Sequence, residues 1–280
     1  MTRVRAGVVV VVVAAVAVVG GARAQDWNQW RGPSRAGVTT TFAAPAKWPD
    51  RPTQAWEVKV GGGHSSPIVS NGRVFLHSRV EEQEVVTAFD LLSGKQVWQQ
   101  RYDAPYEMHP AARAHGQGPK STPVAAAGRL FTFGISGTLS AFDAASGKRL
   151  WQKRYSKEFD AASPDFGTAM SPVVEGDMLI AHVGGIETGG LAALDAATGQ
   201  SKWMWKGDSP AYASPVVATF GKTRQVITQS RSHVVGINAA DGRLLWSIPL
   251  TTEYHQNIVT PVIAGDLVIY SGIRKPLAAV

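Results

Sequence analysis

The stretch Ala141–Tyr155 reads AFDAASGKRLWQKRY, and Ala88–Tyr102, 53 residues upstream, reads AFDLLSGKQVWQQRY. Two further versions follow, ALDAATGQSKW at Ala193–Trp203 and GINAADGRLLW at Gly236–Trp246. All four share one spacing. Asp90, Asp143, Asp195 or Asn238 is followed four residues on by Gly94, Gly147, Gly199 or Gly242, and eight on by Trp98, Trp151, Trp203 or Trp246. A spacing held four times is an internal repeat, and a repeat decides the fold, because each unit carries an apolar face that only its neighbour can bury.

A second mark precedes each signature, a Ser-Pro or Thr-Pro step at Pro67, Pro123, Pro172, Pro215 and Pro261. Successive prolines stand 43 to 56 residues apart, the length of a four-stranded propeller blade rather than of a short helical repeat. Within one unit, TPVAA, RLFTFG, LSAFD and RLWQKRY are β-rich runs parted by AG, SG and AASG turns. Helical periodicity is sustained nowhere. The signature therefore reads as a hairpin between the two outer strands. Its Asp is expected to bond the backbone two residues on, and its Gly to supply a positive φ. The Trp is expected to bury its ring in the seam against the next blade, with the Ala or Gly that opens each signature keeping that seam narrow.

QAWEVKV at Gln54–Val60 matches a final, Trp-bearing strand without three strands before it, so Trp56 is expected to dock like the others and its strand to complete the last blade. The fold class is thus all-β, a β-propeller of four-stranded antiparallel blades: a donated strand, four complete blades and a fifth begun at Thr260. PLAAV at the end of the fifth unit aligns with TLSAF before Asp143, so the next residue would be the signature Asp. The expectation is a C-terminally truncated copy of a protein of seven or eight blades.

The first residues, MTRVRAGVVVVVVAAVAVVGGARAQ, place two arginines before an apolar run from Gly7 to Val19 and an Ala-Arg-Ala site. Residues 1–24 read as a cleaved secretory signal, with an uncleaved anchor as the lesser alternative. Residues 25–55 read as an extended arm whose Trp27, Trp30 and Trp48 need burial, with the propeller surface as cover. Residues 56–280 are the incomplete propeller. No cysteine is present, so disulfides, thiolate metal sites and a lipid-attachment cysteine are unavailable to these 280 residues. Periplasm or medium is the expected location, and a monomer the expected state. The formal charge of +7 falls once the three signal arginines are removed, leaving 25 basic against 21 acidic residues scattered without a cluster. Nucleic acid is not an expected partner.

The pattern A-x-D-x-x-[ST]-G-x-x-x-W resembles the tryptophan-docking repeat of the pyrroloquinoline quinone (PQQ)-like β-propeller superfamily. The resemblance covers Trp56–Val280. That superfamily includes quinoprotein alcohol dehydrogenases and the propeller subunit of outer-membrane-protein assembly machinery, so it implies the fold and leaves function to the site. WNQWRGP at Trp27–Pro33 is similar to the opening of exported PQQ-like repeat proteins.

A ligand site built from several blades should break the repeat, whereas scaffold positions obey it. The segments before each Ser/Thr-Pro step differ from blade to blade and should line one mouth of the central channel. They supply His64, His115, Lys120, Tyr212, His255, Gln256 and Asn257 as candidate ligand-binding residues. Their bland alternative is a set of ordinary loop residues over a water-filled funnel. A metal held by His64, His115 and His255 is disfavoured by their wide spacing, and no metal or catalytic residue is assigned. VEEQE at Val80–Glu84 reads as a solvated turn, GISGT at Gly134–Thr138 as a hairpin turn, and His182 and His233 as surface or packed histidines of strands.

The function expected is an exported, non-catalytic propeller that binds a protein, peptide or glycan in the cell envelope without a cofactor. A glycan would use Tyr212 and His255 as stacking platforms. The alternative is a PQQ- and calcium-dependent quinoprotein dehydrogenase oxidising alcohols or sugars. The resemblance implies for such an enzyme an adjacent-cysteine disulfide against the quinone, which this sequence lacks.

Overall fold

The computed structural model describes residues 26–280 other than 160, 162 and 186. Residues 1–24, read from the sequence as a secretory signal, lie outside the described residues. Four sheets of four antiparallel strands follow in chain order. The first holds β1 (Ile68–Ser70), β2 (Arg73–Val80), β3 (Gln83–Asp90) and β4 (Gln96–Asp103). The second holds β5 (Val124–Ala126), β6 (Arg129–Phe133), β7 (Thr138–Asp143) and β8 (Arg149–Arg154). The third holds β9 (Val173–Glu175), β10 (Met178–Gly184), β11 (Gly189–Asp195) and β12 (Ser201–Trp205). The fourth holds β13 (Val216–Phe220), β14 (Thr223–Gln229), β15 (His233–Asn238) and β16 (Leu244–Pro249). A fifth sheet has three strands, β17 (Val262–Ala264), β18 (Leu267–Tyr270) and β19 (Ala278–Ala279).

Each sheet is a meander, with its strands side by side in sequence order, and the first strands of neighbouring sheets approach one another, β1 to β5 and β5 to β9. The first strand is therefore innermost, and the sheets are propeller blades around a channel. The apolar cores lie between blades. Leu130 and Phe142 of the second blade pack with Phe75 and Val86 of the first, and Phe131 and Leu139 pack with Leu179 and Ala192 of the third.

The signature explains how neighbours lock. The Trp98 indole Nε1 donates to the Ala144 carbonyl of the next blade at 3.1 Å, and its ring lies over Gly147, where an added β-carbon would be 2.6 Å from Trp98 Cδ2. The same pairing recurs from Trp151 to Ala196 at 3.2 Å and from Trp203 to Ala239 at 3.1 Å. Trp56 donates to Leu91 at 2.9 Å, so the N-terminal segment docks on the first blade as the repeat predicts. Residues 54–60 carry no strand pairing of their own among the described residues. Docking of Trp56, Trp98, Trp151 and Trp203 thus runs one way, each onto the hairpin of the following blade.

The expected bond two residues on is made by Asp195, which accepts from Ala197 N at 3.0 Å, and by Asn238, which accepts from Ala240 N at 2.9 Å, whereas Asp90 and Asp143 reach one residue further. Asp90 Oδ1 accepts from Ser93 N at 2.8 Å and Ser93 Oγ at 2.6 Å, and Asp143 accepts from Ser146 N and Oγ, both at 2.7 Å. These bonds hold both carboxyls below the usual carboxylate range. The residue that opens each signature stands opposite its tryptophan, Ala88 against Trp98, Ala141 against Trp151, Ala193 against Trp203 and Gly236 against Trp246, and the register shifts immediately after it. Trp246 departs from the series. Its Nε1 donates to Gln225 Oε1 of its own blade at 2.8 Å, and its ring occupies the place a β-carbon on Gly236 would need. That is why glycine replaces alanine there.

The arm does not lie on the outer surface. Trp27 pairs with Val69 of β1, Asn28 exchanges bonds with Ala125 of β5 at 2.8 and 3.0 Å, and Arg35 donates to the carbonyls of Ser171 and Pro172, at the entry to β9, at 3.1 and 3.0 Å. Residues 26–36 therefore run through the channel along the innermost strands of three blades. Trp48 corrects the expectation of burial: it is 62% exposed and stacks on Phe42 at 5.9 Å, because the chain has left the channel by that point.

Glu84 is a second correction. Glu81 and Glu82 are solvated as expected, but the β3 alternation turns Glu84 fully inward. Its carboxylate accepts from Tyr102 Oη at 2.7 Å and from Ile135 N of the next blade at 2.7 Å, and His77 Nε2 stands 3.4 Å away. Burial would raise its pKa, yet the His77 charge and these hydrogen bonds together hold it below the ordinary value. The GISGT turn thus has a further role, since its Ile135 amide ties the second blade to the first.

Candidate binding site at the channel mouth

The loops that join one blade to the next converge at the entry to the inner strands. Pro110–His115 forms a 3-10 turn with proline at its start, where no amide donor is needed, and His109 Nδ1 caps it by accepting from Ala111 N at 3.2 Å. The next loop supplies Phe166, whose ring meets His109 edge-on at 5.1 Å and Tyr212 at 6.0 Å. The last supplies Tyr254, 74% exposed and held at φ 54°, with His255 beside it at φ 53°. Between these loops lies a cavity of about 650 Å³, into which His109, His115, Lys120, Phe166, Tyr212, Tyr254, Gln256 and Ile258 project.

Four of the expected residues, His115, Lys120, Tyr212 and Gln256, therefore share one cavity. Lys120 Nζ donates to the Phe166 carbonyl at 2.7 Å, and burial lowers its pKa. Tyr212 Oη accepts from Phe166 N at 3.3 Å, and burial pushes its phenol well above the ordinary value. Phe166 is thus clamped from both sides. His64 sits next door, in a shallower cleft with Gln117 and Arg79, its Nε2 2.7 Å from the His115 carbonyl oxygen.

His255 and Asn257 face elsewhere. His255 Nε2 accepts from Arg231 at 3.2 Å, so the ring that faces the cavity is Tyr254. Asn257 is fully buried, and its Nδ2 donates to Ser230, Arg231 and Leu250 carbonyls at 2.8, 3.2 and 2.7 Å while Oδ1 accepts from Thr252 at 3.0 Å. With its hydrogen-bonding capacity spent inside the protein, Asn257 braces the loop and offers nothing to a ligand. His109, Phe166, Tyr254 and Ile258 complete the site beyond the residues the sequence singles out; the HP step and the position of DFG and EYHQ before a Ser/Thr-Pro mark are the available signals.

Chemically, the cavity offers aromatic faces, imidazoles and one half-buried ammonium. Among the described residues, no group of three or more His, Asp or Glu is placed to hold a metal ion. The residues lining the cavity include no carboxylate, whereas calcium takes six to eight oxygen ligands, largely from carboxylates. A calcium-bearing quinone does not fit this cavity.

Four-stranded blades locked by docked tryptophans around a channel define a PQQ-like β-propeller. The family model described as outer membrane protein assembly factor BamB matches residues 38–112 and 81–280, and the chain belongs to that family. It is 26% identical over 218 residues to outer membrane protein assembly factor BamB of Yersinia pestis, covering 77% of this chain and 50% of that protein. With the Shewanella oneidensis counterpart it shares 27% over 160 residues, 55% of this chain and 37% of the relative. The chain spans about half the length, or less, of the curated relatives it matches. Among solved structures, quinohemoprotein alcohol dehydrogenase from Comamonas testosteroni matches with a TM-score of 0.59 at 16% identity, over 91% of this chain and 47% of that one. BamB from Moraxella catarrhalis matches with a TM-score of 0.50 at 15% identity, over 80% and 59%. These structural likenesses establish the fold alone.

Proposed function

We propose that this protein is an exported, non-catalytic propeller of the cell envelope that holds a segment of a partner protein at its channel mouth. The observation that carries this reading is the convergence of four successive inter-blade loops on one aromatic-walled cavity, with Lys120 and Gln256 as its polar handles. Aromatic faces with a few fixed polar groups suit recognition of a side chain or short peptide. The relatives named as assembly factors of the outer membrane support a protein partner and a periplasmic location. Among the described residues no helix is long and apolar enough to cross a membrane. The dehydrogenase reading draws on shared fold only.

Site-specific photo-crosslinking in cells tests the proposal. A crosslinker at Tyr254 or Gln256 should trap one discrete envelope protein, and one at Leu92, 86% exposed on an outer hairpin, should not. Adding Phe166→Ala should abolish the product. Equal trapping from all three positions, or stoichiometric PQQ binding with calcium-dependent dye reduction by alcohols, would overturn it.

A further inference from the structure

A second cavity, of about 340 Å³, lies between the arm and the inner strands β9, β13 and β17. Its apolar wall comes from those strands, and its polar wall from Arg31 and Arg35 of the arm with Glu175 and Arg224 of the blades. The charges do not balance. Glu175 is fully engaged by Arg224, with Nε to Oε1 at 2.7 Å and Nη2 to Oε2 at 2.8 Å, which leaves the two arm guanidiniums without a carboxylate among the described residues.

Arg35 is 6% exposed. Its NH groups reach only neutral acceptors, Gln29 Oε1 at 3.1 Å and the Ser171 and Pro172 carbonyls, and its Nε has no partner. Burial, reinforced by the neighbouring Arg31 charge, pulls its pKa down to about 9. Arg31 donates to the Ala36 carbonyl at 3.3 Å, which leaves most of its fork unused. Both arginines sit at positive φ, 61° and 55°, a region that residues with a β-carbon seldom occupy. The loop is closed by Gly37 N to Arg31 O at 2.8 Å and Arg35 N to Gly32 O at 2.9 Å. The backbone is thus bent to bring two like charges to one wall of the cavity, Arg35 buried and Arg31 half-buried, where burial weakens the screening of their repulsion.

We infer that this cavity is a binding site for a small oxyanion, a phosphate or carboxylate group held by the Arg31 fork in the field of Arg35. Guanidinium is suited to bidentate recognition of such groups, and a bound anion would supply the missing counter-charge. The inference is independent of the mouth site.

Titration calorimetry and thermal unfolding of the purified chain, with inorganic phosphate, malonate and chloride at matched ionic strength, test it. Phosphate or malonate should bind saturably and raise Tm above the chloride control, and the stronger of the two identifies the anion class. Arg31→Gln should weaken that binding by about tenfold or more, Arg31→Lys should weaken it less, and Lys95→Gln, on an exposed outer hairpin, should leave it unchanged. The Arg31 variants keep every Arg35 bond, so their unliganded Tm reports folding separately. If phosphate and malonate act no differently from chloride, or if R31Q and K95Q weaken binding equally, the inference fails.

Discussion

The Trp98 ring covers Gly147 so closely that a β-carbon there would meet Cδ2 at 2.6 Å. This contact joins consecutive blades, and it makes the glycine as specific a requirement as the tryptophan. Gly147 and Gly128 provide a controlled comparison, since both have positive φ, 76° and 74°, but nothing lies within 4 Å of a β-carbon at Gly128. Gly128→Ala should cost about 1–2 kcal/mol through backbone strain alone. Gly147→Ala should cost about 1–3 kcal/mol more through overpacking, measured by denaturant unfolding.

Trp98→Ala should lose about 3–5 kcal/mol, because a buried plate and its bond to Ala144 are both removed. Trp246→Ala should lose less, about 1–2 kcal/mol, since that half-buried ring rests on its own blade. Equal losses would show that docking across the seam is not what the repeat stabilises.

Glu84 sets a pH dependence of known sign. Its folded pKa lies below the ordinary 4.5, so the carboxylate contributes stability in full above that value and loses it as pH falls through the folded pKa. Glu84→Gln should flatten acid unfolding below pH 4.5, and Glu84→Ala should cost about 3–5 kcal/mol near neutrality by stranding the groups around it. Unfolding midpoints measured across pH distinguish the two.

His182 acts in a different window. Burial pulls its pKa from 6.5 to about 4, against the opposing pull of Asp208, so the folded protein keeps the ring neutral. As pH falls from 6.5 towards 4 the unfolded chain takes up the proton first, and stability declines. Counting four residues from the partner of each signature Asp or Asn, the same strand position holds His77, Phe133, His182 and Gln229. Blade two therefore shows that phenylalanine fits, and His182→Phe should remove the decline between these pH values without affecting that of Glu84.

The repeat was legible because its spacing encodes a local hairpin and a contact to the next copy, both fixed by residues a few positions apart. The mouth was legible in part for the converse reason. Lys120, His115, Tyr212 and Gln256 break the repeat just before an inner strand, and a broken repeat marks a position free for other use. Phe166 and Tyr254 escaped because an aromatic in an irregular loop reads equally as packing. Glu84 escaped because its burial depends on the Ile135 amide of another blade, and no local pattern announces a partner so distant. Asn257 looked like a ligand residue for the same reason it is a brace: an amide can satisfy four neighbours at once.

The path of the arm has a temporal consequence. Arg35 finds its backbone acceptors at Ser171 and Pro172, so the part of the described chain that emerges first from synthesis must wait until two blades and the entry to the third exist before it can settle. Contacts of such sequence separation close slowly. Until then Trp27 has its partner at Val69 but Arg35 has none, and seating of the arm registers arrival of the third blade.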